Sequence, residues 1–452
     1  MLVSPDYRVQ LADPYPVAAA PDLEAVFVGG APVAAVPGAV PTAVDAARRL
    51  GFTPGDDGFS AIPLAFTSVA AFDAAFPADD SWLARGVRDY FSAGGQRAWV
   101  VRVLAGSESL IDACVPAGVA GGPPVAPATG LEIAMQVPSA GLVVLPDLEQ
   151  LCLAAEPSGQ ALPLPPRPVP AFRPVADPLP PSAPALPSGA AGEPAGPAAL
   201  LQRISAALAA QRPDMLALFA LPIGADAGDS MNRLVVRARR YLASDAGGPN
   251  WPQVQALAPL VRSVFGVVAS PSGLVAGAQA ASARTSGVWR SIAGRALPLG
   301  YTPLRRIESN ALDQLRSSGV AVLRFVDGRT TLDDDVLALP ETDANAGRRA
   351  AGTRRLMGWL VRSLRRFGEQ LLFENLKDGA PVELILLDLF AALLRRGALN
   401  GRQLSDAVTI ARRNTPDGAV IFDIGVAAAV AVERIQLRFL DGQLTASLGA
   451  AA

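Results

Sequence analysis

Residues Ile62 to Val103, IPLAFTSVAAFDAAFPADDSWLARGVRDYFSAGGQRAWVVRV, leave little freedom in what this chain folds into. An apolar strand over Ile62 to Phe66 runs into Thr67-Ser68, hydroxyl residues suited to starting a helix. Phe72 and Phe76 follow at helical spacing. A second helix places Leu83, Val87 and Phe91 on one face. Gly94-Gly95 ends it, and Ala98 to Val103 reads as a buried strand. Strand, helix, helix, strand is the grammar of a layered unit in which helices cover a sheet. The spacing predicts a chain in the range from α/β to α+β, with mixed sheets flanked by helices.

The chemistry available to that fold is narrow. Histidine is absent from the 452 residues. That removes Ser-His-Asp and Cys-His nucleophile systems, HExxH metal sites and the commonest proton shuttle near neutral pH. The one lysine, Lys377, sits in Asn-Leu-Lys-Asp, so no Gly-x-x-x-x-Gly-Lys phosphate loop exists. Two cysteines, Cys114 and Cys152, are too few for a disulfide framework or a four-cysteine zinc site, and buried idle thiols are expected. Asp333-Asp334-Asp335 is expected as a solvated acidic turn, because consecutive carboxylates do not converge on one ion without a shaped loop. No catalytic residue, cofactor or metal is expected. A formal net charge of −2 argues against a nucleic-acid partner.

MLVSPDYRVQ has neither a basic start nor an apolar run, so no signal peptide is visible. No uncharged apolar stretch reaches about 18 residues, the length that spans a bilayer. Val420 to Val432 comes nearest, and Asp423 interrupts it. No membrane partner is expected, and the chain is expected to be made and folded in the cytoplasm.

Length allows two to four domains at roughly 150 residues each. Residues 1–21 read as an N-terminal arm: Tyr7, Val9 and Leu11 alternate with polar residues between prolines, as in a short half-buried strand. Residues 22–105 form the first compact block, opening with a strand at Glu24 to Gly29. Residues 106–197 read as an insertion. It holds a buried strand candidate at Leu142 to Leu145 and a Pro-rich linker from Pro163, too poor in large apolar groups to offset its ordering entropy. Residues 198–345 return to order, with a helix at Leu200 to Ala210, a strand at Leu216 to Leu221 and a helix at Met231 to Leu242. Residues 346–428 hold a long helix, Arg354 to Leu372, with an apolar stripe of Leu356, Leu360, Leu364, Phe367 and Leu371. Arg355, Arg362 and Arg366 lie nearly opposite that stripe, with Arg354 and Arg365 beside them. Val382 to Leu394 is apolar nearly all round and is expected to be buried. Residues 429–452 read as a C-terminal strand and arm: Ile435, Leu437 and Phe439 share one side, and Asp441-Gly442 predicts a hairpin.

Taken in order, these segments resemble the contractile tail sheath family. The block from Ile62 to Val103 carries the first likeness. The second is the turn and helix Pro271, Ser272, Gly273, Ala276, Gly277, followed by Gly287-Val288-Trp289. There Ser272 reads as a helix start rather than a nucleophile, since no His or Lys stands nearby. The third is Asn310 to Val326, a helix, a Gly319 stop and a strand. After it, Asp327-Gly328-Arg329-Thr330-Thr331-Leu332 keeps the family's Arg-Thr and lacks its Trp. Phe373-Glu374-Asn375 and the turn Arg395-Arg396-Gly397-Ala398-Leu399-Asn400-Gly401 complete the series. The likeness covers residues 1 to 105 and about 198 to 445.

The resemblance implies a multidomain subunit with extended N- and C-terminal arms, and makes 198–345 the central, subtilisin-like sheath domain. It implies hexameric rings stacked helically around an inner tube, with baseplate and cap proteins as further partners, in a phage tail, a tailocin or an extracellular injection particle. It implies strand exchange between neighbours through Tyr7, Val9 and Leu11 at one end and Ile435, Leu437 and Phe439 at the other. It also implies a charged helix of the C-terminal domain against the tube, for which two arginine sets qualify: Arg354, Arg355, Arg362, Arg365 and Arg366, or Arg395, Arg396 and Arg402. A specialised sheath-like ring at the cap or baseplate end is the alternative. A cytosolic enzyme and a Pro-rich adaptor are the remaining readings.

Overall fold

In a computed structural model, the structure describes residues 23–30, 40–54, 59–77, 79–103, 109–117, 128–153, 196–223, 230–243, 251–298, 300–345, 347–371, 380–414, 420–429, 432–440 and 443–450. They fall into two compact units, Leu23–Arg362 and one that begins at Ser363. Tyr7, Val9 and Leu11, the Pro-rich run up to residue 195 and Phe373-Glu374-Asn375 lie outside the described residues.

The larger unit opens with β1 (Glu24–Gly30), α1 (Pro41–Arg49), β2 (Pro63–Phe66), α2 (Val69–Ala75), α3 (Trp82–Ser92) and β3 (Ala98–Val103). It continues through α4 (Leu110–Cys114), α5 (Gly130–Met135), β4 (Ala140–Val144), α6 (Pro146–Leu151), α7 (Pro197–Gln211), β5 (Leu216–Ala220), α8 (Met231–Leu242) and β6 (Val254–Ala258). After these come β7 (Val261–Ser263), β8 (Val268–Ala269), α9 (Ser272–Ser286), β9 (Tyr301–Pro303), α10 (Ser309–Ser317), β10 (Val320–Val326) and β11 (Arg329–Leu332). The long helix α11 (Ala351–Leu371) crosses the boundary between the units. The smaller unit adds α12 (Ala380–Arg395), α13 (Leu404–Ala407), β12 (Val408–Asn414), β13 (Val420–Ala427), β14 (Val432–Leu440) and β15 (Gln443–Ala450).

Eight strands of the larger unit form one sheet in the order β11-β10-β6-β5-β4-β1-β3-β2. Its six inner strands run parallel, and β2 and β11 close the two edges antiparallel. Parallel strands are covered on both faces, so they are written as continuous apolar runs. Ala25–Val28, Leu142–Val144 and Leu216–Ala220 are such runs, all at 2% exposure or less. One face is packed by α5, α7, α8 and α10, through Leu131, Leu201, Leu208, Leu234 and Leu315 among others. On the other, α3 and α9 approach backbone to backbone: a Cβ at Gly273 would lie 2.3 Å from the Gly86 carbonyl, and one at Gly277 2.2 Å from that of Tyr90. Small residues in α9 therefore serve contact between helices.

The caps follow the sequence closely. Ser68 accepts from Ala71 N–H and Ser81 from Ala84 N–H, so each short helix starts where a hydroxyl replaces a missing carbonyl. Gly319, at φ +83°, turns α10 into β10.

Several expectations need correction. The span 106–197 is not set apart from the sheet, because β4 pairs with β1 on one edge and β5 on the other. The boundary expected at residue 345 falls instead within α11, after Arg362. Helix α12 is not buried all round: Leu384 is 64% exposed and Asp388 is exposed. Of the acidic turn only Asp335 is buried, while Asp333 and Asp334 are half-buried. The turn's three carboxylates fan out to three arginines: Asp333 to Arg324 at 2.8 Å, Asp334 to Arg316 at 2.8 Å and Asp335 to Arg355 at 2.6 Å.

The smaller unit holds an antiparallel sheet, β12-β13-β14-β15. Ile421, Phe422, Ile424 and Val426 of β13 are buried. Opposite Val420, Phe422 and Ile424 on β14 stand Phe439, Leu437 and Ile435, which face Leu444, Ala446 and Leu448 on β15. β14 and β15 thus pair antiparallel, as the expected C-terminal hairpin requires.

Candidate functional site

The chain leaves β1 for β3 on one side and returns as β4 on the other, so β1 and β4 flank the switch point of the sheet. In open α/β sheets ligands bind outside the carboxyl ends of the strands at such a point. Here α6 starts directly behind β4, with Pro146 at its first position and two acids in its first turn. Asp147 Oδ2 accepts from Gly30 N–H and Oδ1 from Leu83 N–H, both at 2.8 Å. Glu149 Oε1 accepts from Ala220 N–H at 2.8 Å and from the Ser272 hydroxyl at 2.6 Å. The two carboxyls therefore tie the ends of β1 and β5 and the starts of α3 and α9 to α6. Both residues are at 0% exposure.

A second buried pair stands beside them. Asp79 Oδ1 accepts from Ser81 N–H at 3.0 Å. Its Oδ2 lies 3.1 Å from Arg102 Nη2, with both side chains at 0% exposure. The Arg102 guanidinium stacks on Phe76, 4.0 Å from the ring centre. Its Nε, Nη1 and Nη2 make no hydrogen bond.

Burial sets the protonation of this cluster. It pushes the Asp147 carboxyl up to about 6, against the pull of the Leu83 and Gly30 N–H groups. It pushes Glu149 up to about 7, against its serine and backbone donors. Ser272 is also at 0% exposure, so its hydroxyl and Glu149 form a structural hydrogen bond. Helix α9 begins at Ser272, as its sequence suggests, with Pro271 as the residue before it and no side-chain cap; Ser270 Oγ accepts from Ser272 N–H at 3.0 Å. Cys114 and Cys152 are free and buried. Among the described residues no group of three His, Cys, Asp or Glu is placed to hold a metal ion, and no helix is long and apolar enough to cross a membrane.

The two arginine sets fare differently. Arg355 and Arg362 are withdrawn from any outer face, at 3% and 6% exposure. Arg355 pairs with Asp335 and donates to the carbonyls of Val288 and Arg290. Arg362 Nη1 donates to the Asp214 carbonyl at 2.7 Å. Helical period placed both opposite the apolar stripe, yet that side is covered as well. Arg354 is half-buried and donates to the Pro213 carbonyl; Arg365 is half-buried and Arg366 exposed. Arg395, Arg396 and Arg402 are all exposed. Sequence reasoning missed Asp79, Arg102, Asp147 and Glu149. The available signal was Leu-Pro-Asp-Leu-Glu, acids set directly behind a buried strand.

No protein-family model matches the sequence, and no curated protein matches it. Solved structures do match. The chain is similar to the PVC sheath complex of an extracellular contractile injection system in the contracted state, with TM-score 0.56, 15% identity and 95% of each chain covered. It is similar to a chain of the anti-feeding prophage (AFP) baseplate in the contracted state, with TM-score 0.58, 15% identity, and 95% of this chain and 94% of that one covered. The sheath tail protein Lin1278 from Listeria innocua gives TM-score 0.50 at 10% identity, with 96% of each chain covered.

Proposed function

We propose, for a chain that carries the contractile-sheath fold over 95% of its length, that it is a structural subunit of a contractile sheath. Six copies form a ring, rings stack around an inner tube, and shortening of the stack drives the tube forward. The observation that carries this reading is the match across nearly the whole of both chains to subunits in sheath and baseplate assemblies. The crevice where this kind of sheet binds ligands is occupied by Asp147 and Glu149, which favours a structural over an enzymatic role.

Neighbouring copies are joined by strands. Among the described residues, β12 and β15 are the outer strands of the smaller unit's sheet, and an added strand gains main-chain bonds worth about 1 kcal/mol each. The segment of Tyr7, Val9 and Leu11 is the strand offered. The hairpin of Ile435, Leu437 and Phe439 keeps the same register whether it pairs in its own chain or in a neighbour. The tube is met by exposed arginines, Arg395, Arg396 and Arg402 or Arg366. Assembly takes place in the bacterial cytoplasm, with inner tube, baseplate and cap proteins as partners, before the particle leaves.

Negative-stain microscopy and sedimentation of the purified chain test the reading. Rings, tubes or sheath-like polymers are expected, and removal of residues 1–12 should leave a folded subunit that no longer polymerises. A monomer at high concentration, or polymers that survive that truncation, would falsify the strand-linked sheath.

A further inference from the structure

Asn400 is the one asparagine of seven in the chain that is followed by glycine. The pair lies in the turn between α12 and α13, and both residues are exposed. The backbone is anchored on either side of it. Before it, Asn400 N–H donates to the Ala427 carbonyl at 2.8 Å, beside the bridge of Leu399 to Ala428. After it, Asp406 Oδ2 accepts from the N–H groups of Arg402 and Gln403 at 3.1 and 3.2 Å. Between these anchors, neither the Asn400 side-chain amide nor the Gly401 N–H has a hydrogen-bond partner among the described residues. Gly401 takes φ +149°, a region that favours glycine. A Cβ there would lie 3.0 Å from Asp406 Cβ, so a side chain would also crowd the turn. Arg402 follows directly, and Arg395 and Arg396 stand at the other end of the same turn, all exposed. Positive neighbours favour the deprotonated form of an amide nitrogen.

We propose that Asn400–Gly401 is a site of spontaneous deamidation, a covalent modification of the folded chain that needs no enzyme. The Gly401 amide nitrogen, freed of its proton, attacks Asn400 Cγ. The new N–C bond forms as the C–N bond of the side-chain amide breaks, and ammonia leaves with the proton. Water then opens the cyclic imide at either carbonyl and gives aspartate or isoaspartate, with no change in oxidation state. The product carries a carboxylate where an amide stood, directly before Gly401-Arg402, and the arginine-rich turn becomes less positive. This chemistry does not depend on the sheath reading.

Peptide mapping of the full chain by mass spectrometry tests this. The native protein is held in mildly alkaline buffer, sampled over time and cleaved briefly with trypsin at slightly acidic pH. A sample taken at the start measures conversion during cleavage. The peptide Gly397–Arg402 should gain an acidic form, isoaspartate and aspartate together, ahead of the peptides that hold the other six asparagines. Its rate should rise with pH. It should also be of the same order as in the chain unfolded in urea, because no acceptor ties down the Gly401 N–H. Asn400→Gln lengthens the side chain by one methylene, so closure onto the same nitrogen needs a larger ring that forms more slowly. The Asn400 side chain makes no bond in the fold, so this variant should fold as the wild type does and lose the acidic form. An amide kept in the folded chain while the unfolded chain converts overturns the proposal. So does conversion no faster than at the other asparagines, or a product of aspartate without isoaspartate. An Asn400→Gln peptide that converts as fast as the wild type counts against it equally.

Discussion

Arg355 on α11 grips Asp335 through two nitrogens, Nη2 to Oδ2 at 2.6 Å and Nη1 to Oδ1 at 3.1 Å, with both side chains at 2% exposure or less. Asp335 also accepts from Gln255, whose own oxygen accepts from Gln279 on α9. Burial works to raise the Asp335 carboxyl, but the Arg355 charge and hydrogen bonds from Arg355, Gln255 and the Ile292 N–H outweigh it and hold it below the usual range. The pair thus locks the start of α11 against β6 and α9.

Removing one partner of a buried pair strands the other charge. Arg355→Ala should cost about 3–5 kcal/mol in chemical unfolding. Arg366→Ala, at an exposed position of the same helix, should change stability little. Equal effects would mean that Arg355 is solvated and still free to serve a partner.

Glu149 gives the pH dependence a sign. Its carboxyl is held neutral up to about 7 when folded, and it ionises near its ordinary 4.5 when unfolded. The folded chain therefore keeps a proton that the unfolded chain loses. This stability is fully present below the unfolded value and is lost as pH rises through the folded one. Asp147 and Asp89, raised to about 6 and about 7 by burial, act in the same direction. Unfolding free energy across that window should fall by on the order of 3 kcal/mol on account of Glu149 alone. Glu149→Gln should flatten the difference. A variant whose profile runs parallel to the wild type would assign the slope elsewhere.

The contact between α3 and α9 has no room for a methyl group. Gly277→Ala should destabilise by about 1–3 kcal/mol, since the new carbon meets the Tyr90 carbonyl. Gly196→Ala, where nothing lies within 4 Å, should be neutral or slightly stabilising. Melting curves of the two variants decide it, and a neutral Gly277→Ala would show that the helices can part.

For the tube contact, reversing Arg395, Arg396 and Arg402 to glutamate should leave the melting curve intact and abolish co-assembly with the inner tube. Binding by the wild type should weaken as salt rises. If Arg366→Glu alone has that effect, the contact belongs to α11. If neither does, these arginines only face solvent.

Much of the fold is legible in local patterns, and the strand order is not. Ser68 and Ser81 mark helix starts because a hydroxyl there completes backbone hydrogen bonding, a purely local event. Leu142 to Leu145 reads as a buried strand, but nothing in those residues says that its neighbours are β1 and β5, because an apolar run suits any inner position of a parallel sheet. Periodicity puts Arg355 and Arg362 away from Leu356 and Leu360. It cannot report that Asp335 and the Asp214 carbonyl wait on that side. The acids of α6 were hidden for the same reason: their partners lie 117 and 64 residues away for Asp147, and 71 and 123 for Glu149.

Strand β4 has one further consequence. It is sewn into the sheet along both edges, and α6 and α7 follow it on either side of residues 154–195. A strand paired along both edges has no backbone N–H left open to water, so the amide protons of β4 should be among the last in the chain to exchange with deuterium.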